Sequence, residues 1–126
     1  MVEQAKAVQQ RAYAPYSNFR VGAALEAMSG EVFVGCNVEN ASYGLAMCAE
    51  RTALFKAVSE GAREFAAVAV TAGKAEDASP CGACRQALFE FSPDMWVIWQ
   101  AGRGKVVKKR LRKLLDAGFV FPGRKK

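Results

Sequence analysis

The chain has 126 residues, 52% of them apolar, with a formal net charge of +6 and no histidine. That length suits one domain (1–126), and the composition supplies a packed core, which excludes a disordered protein. No apolar run is long enough to span a bilayer, and "MVEQAKAVQQ" lacks an apolar stretch flanked by basic residues. A cytoplasmic protein without membrane partners is therefore expected.

In chain order, a polar, alanine-rich stretch from Val2 to about Ala12 predicts a helix, ended by the Ala14–Pro15 step. "FRVGAALEAMSGEVFVGCNVEN" predicts two strands around a turn at Ser29–Gly30. Gly22 and Gly35 mark places where another backbone or a ligand comes close. Cys48–Glu60 is a predicted helix, with Ala53, Leu54, Ala57 and Val58 at helical spacing and Gly61 as its stop. "FAAVAVTA" (65–72) suits a strand buried on both faces. After the loop "GKAEDASP" come a helix over Cys81–Phe91, a second buried strand "MWVIWQA", and a "GRG" turn at 102–104. A short strand "KVVKK" and a helix around Arg110–Asp116, capped by Gly118, close the order.

This α-β-β-α-β-α-β-β-α order predicts a three-layer α/β/α sandwich. Only about three residues join the last two strands, so those strands must run antiparallel; a parallel crossover needs a dozen or more. Half of the 18 Lys and Arg residues lie in "GKVVKKRLRKLL" and "PGRKK". A solvated helix face and a mobile tail over about 120–126 account for them, and an anionic partner is the alternative.

The chemistry concentrates in "CAER" (48–51) and "PCGAC" (80–84). Cys81 and Cys84 project from one side of a predicted helix start, and Cys48 sits at another. Helix N-termini lower thiol pKa, so all three sites favour thiolate, the form that binds metal. Three readings compete. A redox pair of Cys81 and Cys84 leaves Cys48 and Glu50 idle. A closed structural zinc site needs Cys36 as fourth ligand, yet Cys36 is placed within a strand, where a cysteine usually acts as a small hydrophobe. An open zinc site with three thiolates leaves one tetrahedral position for water. Glu50 favours this last reading, because a glutamate beside a cysteine ligand with Pro-Cys-x-x-Cys downstream marks zinc deaminases as a class.

"YAPYSNFRVGAAL" (13–25), "GCNVENASYGLAMCAERTALFKAVSEG" (35–61) and "SPCGACRQ" (79–86) agree in order and spacing with one family. On them the chain resembles the small, homotetrameric, zinc-dependent cytidine deaminases of pyrimidine salvage. The resemblance implies a five-stranded mixed sheet between helices and one Zn2+ per subunit. It implies hydrolysis of cytidine and 2′-deoxycytidine to the uridine nucleosides and ammonia. Cys48, Cys81 and Cys84 match the zinc ligands, and Glu50 matches the proton shuttle. Asn37 and Glu39 match the pair that binds the ribose, chiefly its 3′-hydroxyl. Phe19 matches the aromatic against the pyrimidine, and the backbone of Ala49 lies where the base is contacted. Arg51 matches an arginine that donates to the zinc thiolates. Phe119 falls where the family places an aromatic reaching a neighbouring subunit's site, with Phe121 as its rival. Tyr43 is expected as a pocket wall and Asn40 as a turn residue.

One segment departs: where the family commonly has Leu-Leu-Pro, this chain reads "LLDAGF" (114–119), with Asp116 in place of the proline. Within the same chemistry, a deaminase of nucleic acid is the main rival and one of a nucleoside-like antibiotic such as blasticidin S the second. The first typically uses His-x-Glu and parallel last strands, and this chain has no histidine and a short final turn. Nucleic acid is therefore not the expected partner. A zinc-stabilised binding module, with four protein ligands, is the alternative outside enzymes.

Overall fold

The structure is a computed structural model describing residues 1–73, 78–102 and 104–123. Part of the loop before Cys81, Arg103 of the expected "GRG" turn, and the end of the basic tail (124–126) lie outside the described residues. Helix α1 spans Val2–Gln9, followed by strands β1 (Val21–Ala27) and β2 (Val32–Cys36). A short 3-10 turn over Tyr43–Leu45 precedes helix α2 (Ala49–Ser59) and strand β3 (Phe65–Ala72). Helix α3 (Gly82–Phe89), strands β4 (Trp96–Gln100) and β5 (Val106–Arg110), and helix α4 (Leu111–Leu114) complete the order.

The five strands form one mixed sheet in the order β2-β1-β3-β4-β5. β1 pairs antiparallel with both β2 and β3, whereas β3 and β4 run parallel through the α3 crossover. β4 and β5 are antiparallel, as their short connection requires. Helix α1 lies on one face against β1, β2 and β3; α2 and α3 lie on the other, so the chain has the expected three layers.

Alternation along each strand divides the residues between these faces. On the α2/α3 face, Leu25, Val68, Val70 and Val97 are buried against Leu54, Leu88 and Leu111. On the α1 face, Ala24, Ala69 and Thr71 are wholly buried. Two glycines allow both helices to come in close. A Cβ on Gly22 would stand 2.0 Å from the Ala5 carbonyl oxygen of α1, and one on Gly35 would stand 2.5 Å from the Ala53 nitrogen of α2. Gly22 and Gly35 are register neighbours of Cys36 and Ala23, so the sheet is pinched from both sides near the mouth of the site.

Several boundaries differ from the sequence expectations. α1 ends at Gln9 because the chain turns away for Tyr13 to bridge Val38; Tyr13 N donates to Asn37 O, and Glu39 N to Tyr13 O. β4 is buried on one face only, since α1 does not reach over Trp96 and Ile98. Arg110 ends β5 instead of opening the last helix, which stops at Leu114. Gly118 is no helix cap: Ala117 takes the left-handed conformation (φ 53°), and Gly118 lies against the Phe89 ring, where a Cβ would come within 2.8 Å.

The segment after α4 is held by α3. Arg85 donates to the carbonyls of Pro80 (2.7 Å) and Leu114 (2.8 Å). The Gln86 amide pairs with both the N–H and the C=O of Phe119, each at 3.0 Å. At the far edge, β5 is exposed and carries Lys108, Lys109 and Arg110. Lys108 and Arg110 both lie over the Trp96 ring, at 4.4 and 3.8 Å from its centroid.

Candidate active site

Two helix starts meet at the carboxyl end of β3, the side of an α/β sheet where ligands are generally bound. Cys48 is the N-cap of α2 and Cys81 the N-cap of α3; Cys84 follows one turn into α3. Their sulfurs all lie within 4.8 Å of one another, with Cys81 and Cys84 Sγ 3.6 Å apart. Tetrahedral zinc with Zn–S bonds of about 2.3 Å requires sulfurs about 3.8 Å apart, so the three thiols fit that ion.

Cys36 stands apart from this cluster. It ends β2, one residue after Gly35, whose missing side chain faces α2; alternation therefore turns Cys36 to the opposite face. The sequence expectation of a mid-strand position shifts by a residue or two, and the closed four-cysteine reading loses its fourth ligand among the described residues.

The electrostatics suit a cation. The Cys48 thiol is pulled down to about 5, chiefly because Cys84 hydrogen-bonds to its thiolate, with Arg51 adding to the effect. Cys84 is pushed up correspondingly by that same bond and by burial. The pair thus favours a thiolate at the helix starts before any ion binds, and a metal would displace the remaining thiol protons. Arg51 Nη2 donates to Cys48 Sγ at 3.4 Å, which raises the guanidinium pKa further. Its Nε is buried with no hydrogen-bond partner among the described residues, so this cation leans on the Cys48 sulfur for compensating charge.

Glu50, in the first turn of α2, is 5% exposed and faces the same cavity. Burial raises its carboxyl to about 7, and the neighbouring Cys48 thiolate adds to the rise. A carboxyl poised there can take and give up a proton near neutral pH.

The cavity has a volume of about 420 Å³. Of the sequence-predicted residues, it brings together Phe19, Asn37, Glu39, Cys48, Ala49, Glu50, Arg51 and Cys81, with Cys84 buried behind. Tyr43 does not line it. Carried on the 3-10 turn and 84% exposed, Tyr43 lines an adjoining groove that shares Glu39 and Ala46 with the cavity. Phe119 is 67% exposed and also absent from the cavity wall of its own chain, as is Phe121. Asn40 behaves as the expected turn residue, its Oδ1 accepting from Ser42 N at 2.9 Å.

The polar pair that follows β2 is hydrogen-bonded within the chain. Asn37 Nδ2 donates to Phe19 O and its Oδ1 accepts from Val21 N, both at 2.8 Å. Glu39 Oε1 accepts from the N–H groups of Tyr16 (2.9 Å) and Ser17 (3.2 Å), and Oε2 from the Ser17 hydroxyl. Both side chains therefore brace the loop that carries Phe19. Sequence reasoning also missed Met47, Ala46 and Ser79 in the cavity wall. The bridge between Val38 and Met47 places the first of these, and no local pattern announces that pairing.

Comparison with known proteins agrees with this geometry. The family model for the cytidine and deoxycytidylate deaminase zinc-binding region matches residues 1–100. A cytidine deaminase of Halalkalibacterium halodurans is 47% identical over 121 residues, covering 95% of this chain and 92% of that protein. One from Sporosarcina psychrophila is 44% identical over 120 residues, covering 94% and 88%. The crystal structure of a cytidine deaminase from Burkholderia pseudomallei superposes with a TM-score of 0.88 at 52% identity, over 94% of this chain and 95% of that one. With three cysteine sulfurs gathered at two helix starts beside a buried glutamate, the chain belongs to the zinc-binding cytidine and deoxycytidylate deaminase family.

Proposed function

We propose that this protein hydrolytically deaminates cytidine and 2′-deoxycytidine to uridine and 2′-deoxyuridine, releasing ammonia, in pyrimidine salvage. The observation that carries this reading is the buried Glu50 beside the Cys48–Cys81–Cys84 cluster in a cavity rimmed by Phe19, Asn37 and Glu39. Cys48, Cys81 and Cys84 would hold one zinc ion, which when bound supplies a Lewis acid and an activated water.

The remaining work falls to the chain. Glu50 accepts the proton of the attacking water, delivers it to ring N3, and then assists the departing amine. One carboxylate acting repeatedly suffices. Three thiolates around a dication leave a net negative charge that opposes hydroxide formation. Arg51 and the two helix N-termini draw part of that charge away. Phe19 packs against the pyrimidine, the backbone of Ala49 contacts the base, and Asn37 and Glu39 address the sugar. A site built for a sugar hydroxyl rejects a bare base, because its polar groups would be left unpaired.

A free nucleoside suits this chain better than a polynucleotide. The tight β4–β5 connection and the absence of histidine both support that reading. Assembly as a homotetramer in the cytoplasm completes the proposal. Exposed Leu45, Phe55, Phe119 and Phe121 are the kind of surface that subunit contacts cover, and Phe119 would enter a neighbour's site.

The deciding experiment follows cytidine's ultraviolet absorbance with zinc-loaded protein beside a Glu50→Ala variant. Turnover by the parent, reduced at least about a hundredfold in the variant although zinc is retained, is expected. A zinc-loaded parent that leaves cytidine and 2′-deoxycytidine untouched overturns the reading; blasticidin S and single-stranded RNA are then the next substrates.

A further inference from the structure

The loop between α1 and β1 carries Phe19 but has no helix or strand of its own from Ala14 to Arg20. Its residues 15–20 are exposed, and Asn18 adopts the left-handed conformation (φ 59°). Such a segment keeps one shape only if specific bonds hold it. The Ser17 hydroxyl supplies a central one. It donates to Glu39 Oε2 and accepts from Phe19 N at 3.0 Å. The backbone N–H of Ser17 also donates to Glu39 Oε1. On the other side, Asn37 Nδ2 fixes the Phe19 carbonyl. Phe19 is thus held at its N–H by Ser17 and at its C=O by Asn37.

We infer that Ser17 is a positioning residue for nucleoside binding. Its hydroxyl joins the Glu39 carboxylate to the Phe19 backbone, setting the sugar-binding and base-packing groups in one register. The inference rests on the nucleoside reading proposed above. Glu39 lies beyond the end of β2 and Phe19 before the start of β1, so the strand pairing sets their backbones and leaves the separation of their side chains to local bonds. A hydroxyl is the smallest group that donates to the carboxylate and accepts from the amide at once. Alanine at position 17 would leave the Phe19 N–H and one Glu39 oxygen to solvent and loosen the Phe19 end of the loop, while the backbone bonds of Tyr16 and Ser17 to Glu39 remain and the cysteines and Glu50 are untouched.

The test uses the zinc-loaded full chain as parent, Ser17→Ala and Ser17→Thr, and reads two quantities. The first is amide hydrogen exchange at Phe19, which does not depend on activity. The second is the division of any kinetic loss between kcat and KM, for cytidine and for 3′-deoxycytidine. Ser17→Ala should speed exchange at Phe19 and raise KM for cytidine about tenfold, with kcat within about twofold of the parent. The KM penalty should be smaller for 3′-deoxycytidine, which offers Glu39 no 3′-hydroxyl. Threonine, which keeps the hydroxyl, should restore both quantities.

Unchanged exchange at Phe19 in Ser17→Ala would refute the clamp whatever the activity. Faster exchange with an unchanged KM would refute the positioning role while leaving the clamp. An inactive parent whose Phe19 amide still responds would instead count against the nucleoside reading, and with it against any part for Ser17 in substrate binding.

Discussion

Arg51 and Glu39 are both charged groups that do their visible work through a neighbour. Arg51 spends its hydrogen bond on the Cys48 sulfur, three residues back on the same helix turn. Replacing it with glutamine should weaken zinc binding by about 10- to 100-fold, as loss of a hydrogen bond to a metal ligand commonly does. Competition with a chromogenic chelator measures this directly, and an unchanged zinc affinity would remove Arg51 from the site. Glu39 is held below the ordinary carboxyl range, first by the Ser17 hydroxyl and then by the backbone N–H groups of Tyr16 and Ser17. A carboxyl with a lowered folded-state pKa stabilises the structure above its unfolded value and loses that contribution as pH falls through the folded one. The loop should therefore stay braced at neutral pH and loosen only in acid. A carbon-detected titration of the Glu39 carboxyl should give a midpoint below the ordinary glutamate value, moving upward in Ser17→Ala. A midpoint at or above that value in the parent would contradict the bonding seen here.

Among the secondary-structure elements, the sequence was most informative where spacing alone determines placement. Cys81 and Cys84 share one side of α3 because three residues make nearly one helical turn, and Gly61 stops α2 with its φ of 101°. The approach of Cys48 to Cys81 was not legible in this way. It depends on α2 and α3 packing side by side over a sheet whose register is a tertiary property. The same limit hid the path after α4. Composition suggested a glycine cap at 118, whereas tertiary contact with Phe89 sets that glycine's role. The segment is guided by Gln86, whose amide takes both backbone groups of Phe119. Gln86→Ala should raise amide exchange at Phe119 at least about tenfold, since loss of one well-formed bond corresponds to about 1 kcal/mol and here two are lost. Unaltered protection would show that packing alone holds the segment. Gly35→Ala should cost about 1–3 kcal/mol in thermal or denaturant unfolding, the usual result of forcing a methyl into a filled interface, because Ala49 O and Ala53 N already occupy the space.

Across the whole molecule, the metal cluster joins elements distant in sequence. Cys48 opens α2 and Cys81 opens α3, with β3 lying between them. An ion bound to the folded arrangement and absent from the unfolded chain adds stability in proportion to its occupancy. Removal of zinc by a chelator should therefore lower the melting temperature as well as end activity, and the drop should reverse on adding zinc back. A melting temperature indifferent to zinc would mean that helix packing alone closes the site. The layer order and the antiparallel run of β4 and β5 needed little beyond pattern and connection length, whereas the mixed five-stranded sheet was expected only from the family resemblance. The extent of coverage was not readable, since α1 turned out too short to reach β4.

The outer strand has a consequence for colloidal behaviour. β5 is an edge strand of the sheet, and Lys108, Lys109 and Arg110 follow one another along it. Two such borders brought together would set cation against cation, which disfavours pairing of β5 with the β5 of another copy. A chain in which these three residues became threonine would keep its β-forming character and lose its gatekeepers, and light scattering at neutral pH should then rise with concentration where the parent stays clear.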